Sequence, residues 1–124
     1  MRVFKTKQFA RFLVQEGISE VLLCEAVNRA ITGLIDADLG GGVIKQRIAR
    51  EGQGRSSGYR SIVLFRRDDR AIFAYGFAKN ARQNIGQSEL KAFRKLAEVM
   101  LAFDGKELQA AINNGTITEV MCRE

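Results

Sequence analysis

The first third of the chain carries apolar residues at helical spacing. Phe9, Phe12 and Leu13 fall on one helical face, and Gly17 ends their segment. A longer apolar stripe follows Ser19, a predicted N-cap, and recurs at intervals of three and four residues. Its members are Leu23, Ala26, Val27, Ala30, Ile31 and Leu34. The two patterns predict a pair of helices after a short first strand.

The hydrophobic period changes to two after three consecutive glycines, Gly40–Gly42, which we interpret as a flexible turn. In the stretch VIKQRIA, Ile44 and Ile48 fall on one face of a strand, and Lys45 and Arg47 fall on the other. The spacing alone favours the simplest interpretation of the two cations, as the solvated face of an amphipathic strand.

Two more strands follow. YRSIVLFRR is apolar on both faces in its middle, which indicates a central strand, and the polar residues 50–58 before it indicate a loop. AIFAYGFAK comes after the tight turn RDDR and alternates aromatic with small residues. We expect its aromatic face to pack on the helices and its small face to leave room for something to approach. The aromatic face holds Phe73, Tyr75 and Phe77, and the other holds Ile72, Ala74, Gly76 and Ala78.

Two helices and a strand complete the pattern. SELKAFRKLAEVMLAF predicts a third helix capped by Ser88, GKELQAAINNG a short fourth helix, and TITEV a last edge strand. The order predicts an α+β fold, with an N-terminal strand and two helices followed by an antiparallel three-strand meander and C-terminal helices. The length of 124 residues predicts a single domain over residues 1–124.

The cysteine and histidine content excludes several kinds of site. The chain has no histidine and two distant cysteines, Cys24 and Cys122. Catalysis by Ser-His-Asp or Cys-His groups is therefore excluded, and neither a zinc site nor a disulfide scaffold is expected. We interpret the cysteines as reduced thiols of a cytosolic protein. The sequence contains no apolar run that could span a membrane and no signal peptide pattern, so no membrane partner is expected.

Positive charge is concentrated in the middle of the chain, whose formal net charge is +6. Residues 43–82 contain ten basic and three acidic side chains, and the remaining 84 residues contain ten basic and eleven acidic ones. A clustered positive field is typical of proteins that bind phosphate-bearing partners. A basic solvated face without a partner fits the composition equally well.

The predicted meander gathers several cations at one end of the sheet. The end of one antiparallel strand lies beside the start of the next, so Arg60 and Lys79 can approach each other. The candidate set is Lys45, Arg47, Arg55, Arg60, Lys79 and Arg82. Such a cluster suits phosphodiester chemistry, because guanidinium donors bind phosphate oxygens and a lysine crowded by cations loses its proton more easily. With the 2′-OH of RNA as nucleophile, the reaction requires neither a metal nor a histidine.

Other polar residues of this segment have simpler interpretations. The arginines around the aspartate turn are Arg66, Arg67 and Arg70. Surface ion pairs with the aspartates account for them. Ser56–Gly58 precede no helix, so we interpret them as loop residues rather than a phosphate cradle. We interpret Tyr59 and Tyr75 as half-buried sheet aromatics rather than catalytic residues.

The middle of the chain resembles the RelE family of bacterial toxins. The resemblance rests on RSSGYR, residues 55–60, followed by two apolar strands and the basic AKNAR, residues 78–82, before a long helix. The order of a first strand, two helices and a meander is also similar, over roughly residues 1–100. YGFAKN with a later ITEV resembles a branch with an added tail, so residues 105–124 are expected to be a C-terminal extension of a RelE-like domain.

The resemblance also implies roles for individual residues. Lys45 resembles one of the family's strand-borne lysines, and Arg47 stands in the place of another. Arg60 matches the arginine of the GYR motif, and Lys79 resembles the first member of a basic pair before the last helix. The family's catalytic tyrosine falls at about Gly86, where this chain has no tyrosine.

The function implied by the resemblance is that of a cytoplasmic toxin that cleaves mRNA on the ribosome and so stops translation and growth, with no cofactor. Lys45 or Lys79 would transfer protons, and Arg47, Arg55 and Arg60 would bind phosphate, with Arg82 as a further residue that binds RNA phosphate. The expected partners are mRNA, the ribosome and a cognate antitoxin, a small helix-turn-helix or RelB-like protein. The antitoxin is expected to dock in an apolar groove as a helix or an added strand. Two alternatives remain open, a gyrase-directed toxin of the wider superfamily and a non-enzymatic basic nucleic-acid-binding module.

Overall fold

The structure of the protein, a computed structural model, describes the backbone of residues 1–50 and 54–122 and the side chains of residues 1–49 and 58–122. In chain order the elements are β1 (Arg2–Thr6), α1 (Lys7–Glu16), α2 (Glu20–Ile31), β2 (Ala37–Gly40), β3 (Val43–Arg50), β4 (Gly54–Arg66), β5 (Arg70–Ala78), α3 (Gln87–Met100), α4 (Gly105–Asn113) and β6 (Ile117–Val120). The strands form one sheet in the order β2-β3-β4-β5-β1-β6. None of the described helices combines the length and the apolar composition that crossing a bilayer requires.

Helices cover both faces of this sheet. On one side α1 packs across β5 and β1 and α2 packs across β3, and they bury an apolar cluster that includes Phe9, Leu23 and Phe73. On the other side α3 lies over β3 and β4 and α4 lies beside β6, around a second cluster that includes Val43 and Leu64. The two sides are named here the α1/α2 face and the α3/α4 face. The sheet is thus the middle of three layers, with an apolar core on each side.

The predicted α+β fold and its meander are confirmed. β3, β4 and β5 pair consecutively and antiparallel. β1 lies parallel to β5, and β6 pairs antiparallel with β1 at the edge of the sheet, as predicted for TITEV. The expected C-terminal extension therefore contributes a strand to the same sheet that holds the N-terminal strand.

Side-chain caps fix the starts of the first two helices. Thr6 Oγ1 accepts a hydrogen bond from the backbone N–H of Phe9 (3.2 Å), and Ser19 Oγ accepts one from Val21 (3.3 Å). The prediction of Ser19 as an N-cap is confirmed. α1 also ends where predicted, immediately before Gly17.

The predicted length of the second helix is wrong. α2 ends at Ile31, and Leu34, the last member of the predicted stripe, is 63% exposed. Gly33 has a φ of 91°, and the N–H of Leu34 donates to the carbonyl of Arg29 (2.8 Å), which closes the helix in a glycine-terminated turn. The glycine stops the helix although the apolar spacing continues. Ala37–Gly40 instead form an edge strand, joined to β3 by a hairpin turn of glycines at positive φ.

The polar stretch 50–58, predicted as a loop, is partly strand. β4 begins at Gly54, and Arg50 pairs with Gly54 across the ladder. A stretch without apolar side chains can pair in this way, because backbone groups form the ladder. Residues 51–53 lie outside the described part of the chain.

A bulge in β5 overturns the predicted facing of its side chains. Consecutive residues of β4 pair with Tyr75 and with Phe73, which leaves Ala74 without an opposite residue. The extra residue reverses the alternation of the strand. Phe73 therefore packs on the α1/α2 face, whereas Tyr75 and Phe77 pack on the α3/α4 face.

The predicted open face of small residues is also wrong, because α1 fills it. A Cβ atom at Gly76 would lie 2.5 Å from Cδ2 of Phe12 and 2.9 Å from Cε1 of Phe9. The missing side chain of Gly76 is what lets α1 approach the sheet, so this space belongs to the core.

The start of α3 differs from its prediction as well. Gly86 is the N-cap in place of Ser88, and the carboxylate of Glu89 accepts the N–H of Gly86 (2.8 Å). This back-bonding from the third helical residue satisfies a donor that the helix itself leaves unpaired.

Cys24 and Cys122 form a disulfide, so the prediction of two reduced cysteines is wrong. Cys24 lies on α2 and Cys122 follows β6, and their Cα atoms are 5.6 Å apart although 98 residues separate them in sequence. Val120 of β6 belongs to the same apolar cluster as the buried residues of α2. The sheet therefore brings the two cysteines together, which their sequence separation could not indicate.

Gly76→Ala is expected to lower the free energy of unfolding by about 1–3 kcal/mol, because the added methyl group overpacks the contact with α1. Urea denaturation followed by circular dichroism measures this energy. Gly105→Ala is the matched control, since nothing lies within 4 Å of a Cβ atom at that position. Equal unfolding energies for the two variants would contradict the close packing of α1 on Gly76.

Reduction of the disulfide is expected to lower the free energy of unfolding by about 2–5 kcal/mol, because the unfolded chain then loses a long-range constraint. The measurement is the urea midpoint with and without reductant. A Cys24→Ala/Cys122→Ala variant should unfold at the lower midpoint in both conditions. If wild type has the same midpoint with and without reductant, the cross-link does not stabilise the protein.

Candidate nucleic-acid interface

Three of the predicted site residues share the α3/α4 face of the meander. Lys45 and Arg47 lie on β3, and Arg60 lies directly opposite Arg47 on β4. Val43 and Ile62, which are two residues from Lys45 and Arg60 along their strands, pack in the apolar cluster under α3. Because side chains two apart leave a strand on the same side, all three cations belong to this face.

The Arg47–Arg60 pair sets two like charges opposite each other. Arg47 is exposed, whereas Arg60 is only 8% exposed. Burial lowers the pKa of Arg60, the nearby Arg47 lowers it further, and Asp36 acts in the opposite direction. Like charges at directly opposite positions destabilise a sheet, so a bound anion would relieve this repulsion.

Two rows of side chains cross β3, β4 and β5 on this face. One row is Arg47, Arg60 and Phe77, and the other is Lys45, Ile62 and Tyr75. The centroid of the Tyr75 ring lies 6.0 Å from that of Phe77 and 5.9 Å from that of Phe93 on α3. Cations interleaved with aromatic rings are typical of surfaces that bind single-stranded nucleic acid.

Arg82 is held by groups around it on this face. Its guanidinium donates to both carboxylate oxygens of Glu89 (2.6 and 3.0 Å), to the Tyr75 hydroxyl oxygen (3.1 Å) and to the carbonyl of Asn84 (2.9 Å). The guanidinium carbon of Arg82, Cζ, also lies 5.9 Å from the ring centroid of Tyr75 and 5.7 Å from that of Phe77. The hydrogen bonding between Arg82 and Glu89 is the main reason why the pKa of Arg82 is raised and the pKa of Glu89 is lowered. Arg82 thus connects the first turn of α3 to Tyr75 on β5. Its role as a phosphate ligand stays a prediction.

The segment after β5 closes one side of the face. Asn84 Oδ1 lies 3.5 Å from Nζ of Lys45, within hydrogen-bond reach. Lys79 is exposed at the end of β5, and its backbone N–H donates to the carbonyl of Gly58 (3.4 Å). This hydrogen bond places Lys79 beside Gly58 of β4, and Gly58 is two residues before Arg60 in sequence. The end of β5 thus lies beside the part of β4 that holds Arg60, as predicted for the meander.

Arg55 belongs to the part of β4 whose side chains lie outside the described residues. Its predicted role in binding phosphate therefore stays a prediction.

The arginines at the other end of β4 are used by the fold. Arg66 forms an ion pair with Asp69, and Arg70 Nε lies 3.2 Å from the same carboxylate. Arg70 is buried rather than on the surface, and it donates to the carbonyl of Met100 at the end of α3 (3.1 Å). The predicted ion pairing with the aspartate turn is confirmed for Arg66 and Arg70, and their place outside the site stays a prediction.

The part of the α3/α4 face that holds Lys45, Arg47 and Arg60 is called here the basic face. The sequence analysis did not identify three residues that position the groups around it, which are Tyr75, Asn84 and Glu89. The bulge that turns Tyr75 toward the cations leaves no mark in the alternation of apolar residues. Glu89 could have been found as the acidic residue three positions after a helix cap, had the helix start been placed at Gly86. Among the described residues, no three His, Cys, Asp or Glu side chains cluster as a metal site would require.

Arg47→Ala is expected to keep the free energy of unfolding at the wild-type value or raise it by up to about 1 kcal/mol, because it removes the charge that faces Arg60. Arg67→Ala is the matched control, since it removes one positive charge at the distant turn. Urea denaturation at low and high salt tests this, and the gain should shrink as salt screens the repulsion. A loss of stability at low salt in Arg47→Ala alone would show that the pair is not repulsive.

Comparison with known protein families shows which family the sequence matches. The sequence profile of the family described as the RelE toxin of the RelE / RelB toxin-antitoxin system matches residues 1–120. No individual curated protein is similar enough to count as a match. The matched residues contain all the strands that the structure describes, together with Lys45, Arg47 and Arg60. The chain therefore belongs to the RelE family of toxins from toxin–antitoxin systems.

Proposed function

We propose that this toxin is a ribosome-associated endoribonuclease that cleaves mRNA. The observation that supports the proposal most directly is the Arg47–Arg60 pair beside Lys45 on one face of the meander. Two arginines set opposite each other on paired strands can direct their guanidinium groups to the oxygens of one phosphodiester. Membership of a family whose toxins generally cleave mRNA supports the same activity.

In the proposed reaction the 2′-oxygen of a ribose attacks the adjacent phosphorus, and the 5′-oxygen of the next nucleotide leaves. Negative charge grows on the phosphate oxygens, where Arg47 and Arg60 stabilise it, with Arg55 as a further ligand. Lys45 or Lys79 takes the proton of the 2′-OH. The sheet contributes positioning, because side chains on paired strands hold their geometry better than side chains on loops.

The proposed setting is the cytoplasm, where the ribosome and mRNA are available and where a cognate antitoxin of the helix-turn-helix or RelB-like type would restrain the toxin. Thiols are kept reduced in that compartment. The state of the Cys24–Cys122 bond there decides how firmly the C-terminal segment is held to α2. Alkylation of free thiols in intact cells, followed by mass spectrometry, measures that state directly.

Induced expression without an antitoxin is expected to stop growth and to produce mRNA fragments, mapped by primer extension. An Arg60→Ala/Lys79→Ala variant should lose cleavage by at least about 100-fold, because it removes transition-state stabilisation and a candidate base. Arg66→Ala/Arg67→Ala is the control, since it removes the same charge from the opposite end of β4. A thermal melt shows whether each variant is folded.

The catalytic proposal fails if wild type and the Arg60→Ala/Lys79→Ala variant are equally harmless. A DNA-damage response with intact mRNA would instead identify a gyrase-directed toxin. RNA binding that weakens steeply with salt and yields no product would identify a non-enzymatic binding module.

A further inference from the structure

Tyr75 carries a hydroxyl on the basic face that the packing of its ring does not require. It is half-buried, and its ring packs against Phe77 and Phe93. Its hydroxyl lies at the edge of this packing and accepts a hydrogen bond from Arg82 (3.1 Å). A phenylalanine would provide the same apolar contacts, so the hydroxyl is the part of Tyr75 that packing leaves unexplained.

The hydrogen bond from Arg82 defines which way the hydroxyl can act. Arg82 can only donate, so the Tyr75 oxygen accepts and the hydroxyl proton is left for a different acceptor. Glu89 binds Arg82 through two hydrogen bonds, which prevents the guanidinium from turning away. Tyr75 is therefore presented as a proton donor by a fixed neighbour.

The position of Tyr75 places this donor across the sheet from the proposed phosphate ligands. Tyr75 lies in the same row as Lys45, with one strand between them, and in the row next to Arg60. Asn84 links the two ends of the row, since its side chain lies 3.5 Å from Lys45 Nζ and its carbonyl accepts from Arg82 (2.9 Å). Strands lie about 4.8 Å apart, so the backbones at the two ends of the row are about 10 Å apart, and the long side chains of Lys45 and Tyr75 can reach one phosphodiester between them.

We propose that Tyr75 is a catalytic residue that donates its proton to the leaving 5′-oxygen, an inference that rests on the proposed endoribonuclease function. The P–O5′ bond breaks as the 2′-oxygen forms its bond to phosphorus, which gives a 2′,3′-cyclic phosphate and a 5′-OH. The electron pair of the broken bond stays on the 5′-oxygen and takes the Tyr75 proton. The phenolate that results is stabilised by Arg82, and the proton taken from the 2′-OH by the base balances the cycle.

The test uses purified protein and ribosomes carrying mRNA in which the cleaved linkage has a bridging 5′-sulfur in place of the 5′-oxygen. A thiolate leaves without a proton, because thiols are far more acidic than alcohols, with a pKa of about 8.5 for a cysteine side chain. Tyr75→Phe is expected to cleave the normal mRNA about 100- to 10,000-fold more slowly than wild type, the range of general acid catalysis. It is expected to cleave the sulfur-containing mRNA at close to the wild-type rate.

The matched control is Tyr59→Phe, which removes a hydroxyl from the opposite face of the sheet, where the Tyr59 ring packs edge-on against Phe12. This variant should cleave both mRNAs as wild type does. The proposal is overturned if Tyr75→Phe cleaves normal mRNA at the wild-type rate, or if it loses the same factor on both mRNAs. Wild-type protein that cleaves neither mRNA would overturn the endoribonuclease function, and the role of Tyr75 with it.

Discussion

The pairing of β4 with β3 on one side and with β5 on the other creates the basic face. One register sets Arg60 between Arg47 and Phe77, and a slip by a single residue would turn the side chains of β4 to the opposite layer. A slip would move the charged Arg60 from the face of Ile62 to the face of Val63, in the apolar cluster under α1 and α2, and the cost of burying its charge there holds the register. The burial that stabilises the sheet therefore also determines the face on which these cations lie.

β3 is fixed from behind by a polar residue in the core. Gln46 lies between Lys45 and Arg47 in sequence but faces α2, and it is 1% exposed. Its amide donates to the carbonyls of Ala26 (2.9 Å) and Leu34 (3.3 Å) and accepts the N–H of Asp36 (2.7 Å). A buried amide whose groups are all paired rigidifies its surroundings. Lys45 and Arg47 thus project from a strand that is tied to α2 as well as to the sheet.

The sequence predicted most of the elements, but it predicted the layer that each side chain faces only where a strand is regular. Alternation in β3 correctly separated Ile44 and Ile48 from Lys45 and Arg47, because that strand is regular. The same alternation gave the wrong facing in β5, because a bulge at Ala74 reverses it. A bulge depends on the pairing with the neighbouring strand and has no signature in the local sequence. The disulfide was missed for a similar reason, because the pairing of β6 with β1 is a long-range event. Local signals identified the strands and helices, and non-local contacts decided the fine geometry of the site.

The location of β1 inside the sheet has a consequence for the order of folding. β1 is synthesised early, but its two neighbours begin at Arg70 and Ile117, so its pairing must close long loops. The hairpins that join β3, β4 and β5 close short ones and are favoured to form first. The charged surface of this toxin should therefore be assembled before the strand that completes its sheet is in place.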